Sequence, residues 1–414
     1  MPPMNVSMKI KTTVIRLLLA VTVIGVSFRT ARANEGYGVD GDTTVWFVNM
    51  YPGSDIYELE GHSALRIRMP GNDLAINYGM FSFDAPNFVY RFVKGETDYM
   101  AGAIPWGYFE REYIDAGRRM VAHKLNLTSE QKQRLLTIVA NNLLPENRVY
   151  RYNYVLDNCA TRPLRTVELA TGDSILLSQP DDIPDLQTFR DYMRYYHRNY
   201  PWYQFGIDLA LGTGIDRQIT VREKSFAPVI LDMQLDEARL TDGTPLTIET
   251  VVLNDTDPDG RVLAPTHWYL RPITVSWVLS LFVIIYALVK CLRYGRYPRG
   301  LVTVLFTCFT LAGLVVTFLV FVSVHEATSP NYNLLWLNPL CVIPAICLWI
   351  KKAKIAVITY FFLNFVLLIS LLSVWLLGIQ SPNPAFIPLV MADMTLSALY
   401  IYLNINNLVK KQAK

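Results

Sequence analysis

The feature that most limits the fold is a series of five apolar stretches after residue 272. They are Ile273–Lys290, Leu301–Val324, Leu334–Ile350, Ile355–Ile379 and Ala385–Leu408. A helix needs roughly 20 apolar residues to cross a bilayer. Only structures that satisfy every backbone polar group internally survive there. Residues 271–414 therefore read as an all-α membrane domain of about five helices. The third stretch is the shortest and is interrupted by Pro339 and Pro344. Of the ionisable groups, Asp393 lies well inside a stretch, where it reads as a polar contact between helices. So few charges argue against a polar transport path.

Charge orients the bundle. The first connection carries Lys290, Arg293, Arg296 and Arg299, the third Lys351, Lys352 and Lys354, and the tail Lys410, Lys411 and Lys414. The second connection ("SVHEATSPNYN") and the fourth ("QSPNPAF") have no Lys or Arg. Basic loops stay in the cytoplasm, so the even loops face outward. At the N-terminus, Lys9, Lys11 and Arg16 precede the apolar run "LLLAVTVIGV" and the small-x-small site "ARA", Ala31 to Ala33. Residues 1–33 thus read as an export signal. That puts residues 34–270 on the outer side of the membrane, with the even loops. The net charge of +3 is too small to suggest nucleic acid.

The exported part mixes strands and helices. "TTVWFVNMYPG" reads as a strand ending in a Pro-Gly turn. "SALRIRM" and "LAINYGMFSF" read as a hairpin around "PGND", and "RRMVAHKLNL" as a further strand. "TSEQKQRLLTIVANNLL" is a helix capped by Thr128 or Ser129 and stopped by Pro145. "DNCATRPLRTVELA" reads as a helix starting at Cys159, capped by Asp157 or Asn158, with Leu164, Val167 and Leu169 on its apolar side.

Cys159 is the one cysteine before position 291, so this exported region has nothing to pair it with. A lone thiol there is either an inert buried hydrophobe or a reactive group. A helix N-terminus favours thiolate and offers N–H groups to an oxyanion. A nucleophile also needs a base. Of the five histidines, His62 stands after Gly61 at the head of a strand and is the best candidate. His123 and His197 read as structural. The segment Arg190–Gly206 is rich in tyrosine and arginine. It suits either a bilayer interface, with Arg190, Arg194 and Arg198 on lipid phosphate, or an aromatic packing face.

A strand-start histidine followed by a helix-start cysteine resembles the circularly permuted branch of papain-like enzymes that includes lecithin:retinol acyltransferase. The motifs "GHSALRI", "INYGMFSFD", "FVYRFVKGETDYM", "DNCATRPLR", "FGIDLALGTGID" and "HEATSPNYNLLWLNPL", in this order, resemble the Lnb lipoprotein N-acyltransferases of Bacteroidetes. The resemblance runs from about Thr43 to the last span. It implies an α+β permuted papain-like domain at 34–184, an interfacial subdomain or connector at 185–270, and the membrane domain. It implies Cys159 as nucleophile, His62 as base and a third polar residue orienting the imidazole: Asn77, with Tyr78 and Asp84 as rivals. Asn158 and Arg162 beside the cysteine, and His325 and Glu326 in the second outward loop, are supporting or substrate-contacting candidates. His325 and Glu326 could instead anchor the domain on the helices. The implied reaction moves an acyl chain from a membrane phospholipid through a Cys159 thioester to the α-amine of a diacylglyceryl-cysteine lipoprotein. No cofactor or metal is expected, because two ligands without a third make a weak metal motif. A cell-envelope cysteine peptidase or amidase, and a non-enzymatic membrane receptor or transporter, are the competing readings.

Overall fold

The computed structural model describes residues 43–81, 86–179, 186–256 and 265–412, with side chains to 405. The expected export signal at 1–33, Asp84 and the division at 184/185 lie outside them.

Seven antiparallel strands form the sheet: β1 (Thr44–Met50), β2 (His62–Met69), β3 (Asn72–Met80), β4 (Asp98–Pro105), β5 (Met120–Leu125), β6 (Val149–Arg151) and β7 (Thr247–Asn254). Their order is β6-β4-β3-β2-β1-β5-β7. The expected hairpin is β2–β3, closed at Pro70-Gly71, where Gly71 takes the positive φ of 78° that the turn requires. Alternation sorts the side chains onto two faces. On one face, Val45, Phe47, Leu65, Ile67 and Ile76 pack under helices α3 (Ser129–Asn142), α4 (Thr161–Thr171) and α7 (Pro228–Glu237). On the other, Val48, Met50, Ala64, Ala75 and Ala122 pack under α2 (Trp106–Asp115) through Trp106 and Phe109. The capping box expected at Thr128 forms with Gln131. Leu164 and Val167 of α4 are buried as expected. Leu169 is 58 % exposed, because it falls on the solvent side of that helix.

The stretch expected as an interfacial subdomain or connector, 185–270, divides. Helices α5 (Phe189–Tyr196) and α6 (Pro201–Ala210) lie against the membrane domain, whereas α7 and β7 return to the sheet. Arg190 and Arg194 correct the phosphate expectation. Arg190 is fully buried between Asp208 (2.8 Å) and Asp216 (2.7 Å). Arg194 binds Asp208, the Ser381 hydroxyl (2.7 Å) and the Pro382 carbonyl (3.0 Å). Both guanidinium groups are held by protein oxygens at this junction. Removing one partner from such a buried pair costs about 3–5 kcal/mol.

Four of the apolar stretches are long helices: Pro272–Arg293, Arg299–Phe321, Lys351–Leu376 and Phe386–Ile405. The third is broken into 3₁₀ turns at Tyr332–Leu335 and Pro339–Cys341 and a short helix at Val342–Cys347. Pro339 opens the second turn and cannot continue a ladder from Tyr332–Leu335, whereas Pro344 falls in the first turn of the short helix, where its missing N–H is tolerated. The stretch still runs from one end of the bundle to the other. Asn338 abuts Gly313 so closely that any Cβ there would lie 2.6 Å from the Asn338 nitrogen. Near the far end, Thr303 Oγ1 donates to the Ala345 carbonyl and Trp349 Nε1 donates to Thr303 Oγ1. Among the described residues four helices are long and apolar enough to cross a membrane, and the broken passage packs alongside them. Asp393 is an interhelical contact, accepting from Asn364 Nδ2 at 2.8 Å.

The two loops that lack Lys and Arg meet the exported region, as the orientation requires. Val324 N donates to the Lys94 carbonyl, Gly212 N to the Ala327 carbonyl and Asn331 Nδ2 to the Leu209 carbonyl. Tyr90 of α1 (Phe88–Lys94) packs on Phe318, and Phe205 of α6 packs on Phe386.

Candidate active site

Cys159 stands immediately before Ala160, the N-cap of α4. The cap oxygen comes from Asn158, whose Oδ1 accepts from the Ala160 and Thr161 amides at 2.9 and 3.0 Å. Its Nδ2 donates to the Tyr154 and Phe226 carbonyls, both at 2.8 Å. Asn158 is thus a buried fastener that fixes the cysteine loop. Arg162 turns the other way, paired with Asp157 at 2.8 Å and lying 3.3 Å over the Tyr150 ring.

The Cys159 side chain approaches the ends of β2 and β3. Gly79, with φ +89°, permits the approach: a Cβ on it would be 3.5 Å from the Cys159 Cβ and 3.3 Å from the Tyr152 ring. The sulfur receives the Tyr152 hydroxyl at 3.9 Å and faces the Ser63 N–H and its own N–H. These donors favour thiolate, but burial outweighs them and pushes the thiol up to about 11. The resting sulfur is therefore a protonated thiol, not the thiolate that the helix N-terminus alone suggests.

His62, the residue before Ser63, opens β2. Ala64 pairs with Asn77 across the hairpin, so His62 and Asn77 are diagonal neighbours on the same face. His62 Nε2 and Asn77 Oδ1 are 2.7 Å apart. An amide oxygen only accepts, so the proton sits on Nε2 and Nδ1 keeps its lone pair. Nδ1 makes no hydrogen bond to any described residue. Burial holds the imidazole down to about 4, Asn77 opposing and Arg118 assisting. Tyr113 stacks on His62 (6.4 Å, 7°), and Arg118 lies 4.9 Å over Tyr113. Near neutral pH the pair is an uncharged thiol and an uncharged base. A neutral thiol and a neutral imidazole are the protonation states from which a proton transfer from sulfur to nitrogen would start.

Of the rivals to Asn77, Tyr78 points to the opposite face and accepts from Asn142 Nδ2 at 3.0 Å. His325 is not in this group: its Nε2 donates to the Phe92 carbonyl at 2.8 Å, so it anchors the second outward loop on α1. Glu326 lies in the 3₁₀ turn beside it, over Gly214. Among the described residues no cluster of His, Cys, Asp or Glu is large enough to hold a metal.

Ser63, Tyr152 and Tyr113 were not singled out by sequence. Ser63 acts through a backbone amide, which leaves no residue signature, and the tyrosines sit among many others. Tyr99 stacks on Tyr152 at 4.2 Å. Beside this pair opens a cavity of about 180 Å³ lined by Met80, Phe81, Phe88, Arg91, Tyr99 and Met100. Its α1 wall carries Val89, Tyr90 and Phe92 on the exposed side, next to the bundle.

Two family models match this chain. Residues 31–201 match the Lnb N-terminal periplasmic domain, and residues 264–408 match the Lnb transmembrane domain. No curated protein and no solved structure matches.

Proposed function

The chain belongs to the Lnb family of lipoprotein N-acyltransferases, as an inner-membrane protein with a periplasmic N-terminal domain, and from that premise we propose a ping-pong transfer through a thioester on Cys159. The observation that carries the reading is the open Nδ1 of His62, on an imidazole held by Asn77, at the strand end that the Cys159 thiol faces.

In the first half-reaction the sulfur attacks an acyl ester carbonyl of a membrane phospholipid while His62 Nδ1 takes the thiol proton. The Ser63 and Cys159 N–H groups receive the oxyanion. The ester C–O bond breaks, His62 returns its proton to the leaving oxygen, and a lysophospholipid departs. In the second, the α-amine of a diacylglyceryl-cysteine attacks the thioester, the C–S bond breaks and the thiol is restored. An amide replaces a thioester, so this step runs downhill. Asn77 holds the imidazole tautomer throughout. Asn158 supports the cysteine loop, and Arg162 supports it from the Asp157 side. The cavity beside Tyr99 takes the acyl chain, since its walls are mostly apolar apart from Thr97 and the Arg91–Asp98 ion pair, and its α1 side adjoins the membrane helices. The papain-like relationship is read from the order histidine then cysteine and from their places at a strand start and a helix start.

The test incubates wild type and Cys159→Ser with phospholipid and a diacylglyceryl lipopeptide, reading the peptide's N-terminal mass. One added acyl chain with wild type alone supports the proposal. Cleaved peptide bonds would make the chain a cysteine peptidase instead.

A further inference from the structure

Two residues before His62, on the same strand-entry segment, Glu60 is buried at 8 % exposure. Its Oε1 has no hydrogen-bond partner. Buried carboxylates are ordinarily paired with a cation or fully hydrogen-bonded. Among the described residues the one basic neighbour is His197, whose Nε2 stands 3.7 Å from Oε1, beyond hydrogen-bond distance. His197 is itself committed through Nδ1 to Gln204 Oε1 at 2.7 Å. Around the carboxylate stand three tyrosines that its charge reaches: Tyr154, directed at it by its hydroxyl, with Tyr196 and Tyr203. The same charge reaches the Cys159 thiol. Burial holds His197 down to about 4, so it is uncharged near neutral pH, and a carboxylate among tyrosines whose one basic neighbour is a neutral imidazole matches the chemistry of a primary ammonium group.

One wall of this cage belongs to a helix that packs on the membrane domain. Tyr154 is 40 % exposed, so this wall of the cage reaches the protein surface. Tyr203 lies on α6 next to Trp202, whose Nε1 donates to the Leu270 carbonyl just before the first membrane helix. Phe205 of the same helix packs on Phe386.

We infer that Glu60, with Tyr154, Tyr196 and Tyr203, forms the binding site for the acceptor's α-ammonium and takes its proton before it attacks the thioester. The inference rests on the proposed acyl transfer. The amine arrives charged near neutral pH, and an ammonium has no lone pair to attack with. One ammonium proton passes to the Glu60 carboxylate. The freed lone pair forms the C–N bond, the C–S bond breaks, and the second nitrogen proton travels through His62 to the leaving sulfur. Glu60 then releases its proton to water. Burial holds its carboxyl up at about 7, close to that of the amine it serves.

An ammonium in the donor's headgroup presents the same chemistry, so the test separates the two sources. Full-length Glu60→Gln and wild type are acylated in detergent from phosphatidylethanolamine or phosphatidylglycerol. The Cys159 thioester is followed by intact mass, then chased with a diacylglyceryl lipopeptide or with hydroxylamine. Hydroxylamine is largely uncharged near neutral pH and needs no proton removed before attack. The expected result is a thioester from both donors and tenfold or more slower loss to the lipopeptide. Hydroxylamine then clears the thioester at the wild-type rate, which a merely disturbed fold would not allow. Tyr154→Phe shows a smaller defect in the same direction. Lipopeptide transfer at the wild-type rate overturns the inference while leaving the thioester reading intact. A defect confined to acylation from phosphatidylethanolamine overturns it in favour of the donor headgroup. Equal slowing by both nucleophiles overturns it in favour of a structural role. No thioester in wild type would instead defeat the transfer reading itself.

Discussion

Two histidines flank β1 in the same sheet, and they differ in what their surroundings leave free. His62 on β2 pairs with Met50, and His123 on β5 pairs with Phe47. Both rings are held by a short bond from Nε2, 2.7 Å in each case. His123 Nε2 meets the Asp232 carboxylate, while Nδ1 meets Thr250 Oγ1 at 3.2 Å and Asp236 at 3.3 Å. Every polar atom of that ring is used, so it can only hold structure. His62 is held by a neutral amide on one side, keeps Nδ1 open, and stands beside the residue whose N–H faces a thiol. Burial therefore does not mark the reactive ring; a spare nitrogen next to a nucleophile does. The regions are also joined. Asp232 accepts from Asn49 Nδ2 at 3.3 Å, and Asn49 Oδ1 accepts from Ser63 Oγ at 2.6 Å, so the structural network steadies the amide that faces Cys159.

The largest effect expected from breaking this contrast is at the nucleophile. Cys159→Ser should lower acyl transfer by about 10³-fold or more, measured as N-acylated lipopeptide per unit time. His62→Ala should follow with a loss of about 10²–10⁴-fold, the usual range for a general base. Asn77→Ala leaves the base present but unheld, and a loss of about tenfold is expected, falling on kcat more than KM. His123→Ala should leave the rate per folded molecule within about threefold of wild type. It should destabilise the protein by about 2 kcal/mol, because Asp232 loses one buried partner. Chemical unfolding in detergent checks the second figure. A rate loss for His123→Ala as large as that for His62→Ala would erase the distinction.

Acid sharpens the contrast further. His62 and His197 are both held down to about 4 by burial, from 6.5 in the unfolded chain. Between those values the unfolded chain binds more protons than the fold, so stability falls as pH drops from about 6.5 towards 4. The base form of His62 persists over the same window. The rate of Cys159 acylation should therefore hold well below pH 6 and decline only near 4 to 5. A decline centred on 6.5 would mean that the imidazole is not desolvated.

Much of this was legible in the chain because it rests on local rules. Apolar length marks the membrane passages, charge asymmetry their direction, and period-two alternation β1, β2 and β3. A strand-start histidine and a helix-start cysteine are local signs too. Tertiary facts were not legible. The proline-broken third passage needs Gly313 on a neighbouring helix to admit Asn338. β7 joins the sheet across more than 120 residues to pair with β5. Arg190 looked like a phosphate ligand because nothing in the run Arg190–Gly206 shows that Asp208 and Asp216 fold back onto it. Glu60 reads as an ordinary surface acid in "ELEGHS". Only the surrounding tyrosines, drawn from segments far along the chain, show that it is enclosed.

The most direct test of the Cys159 thioester is intact-mass analysis of full-length wild-type protein held with phospholipid and no acceptor. The predicted result is a gain of one acyl chain on the Cys159 peptide, removed by hydroxylamine and absent from Cys159→Ser. A lipopeptide that becomes N-acylated by the same preparation, with Cys159 never carrying an acyl group, would contradict it.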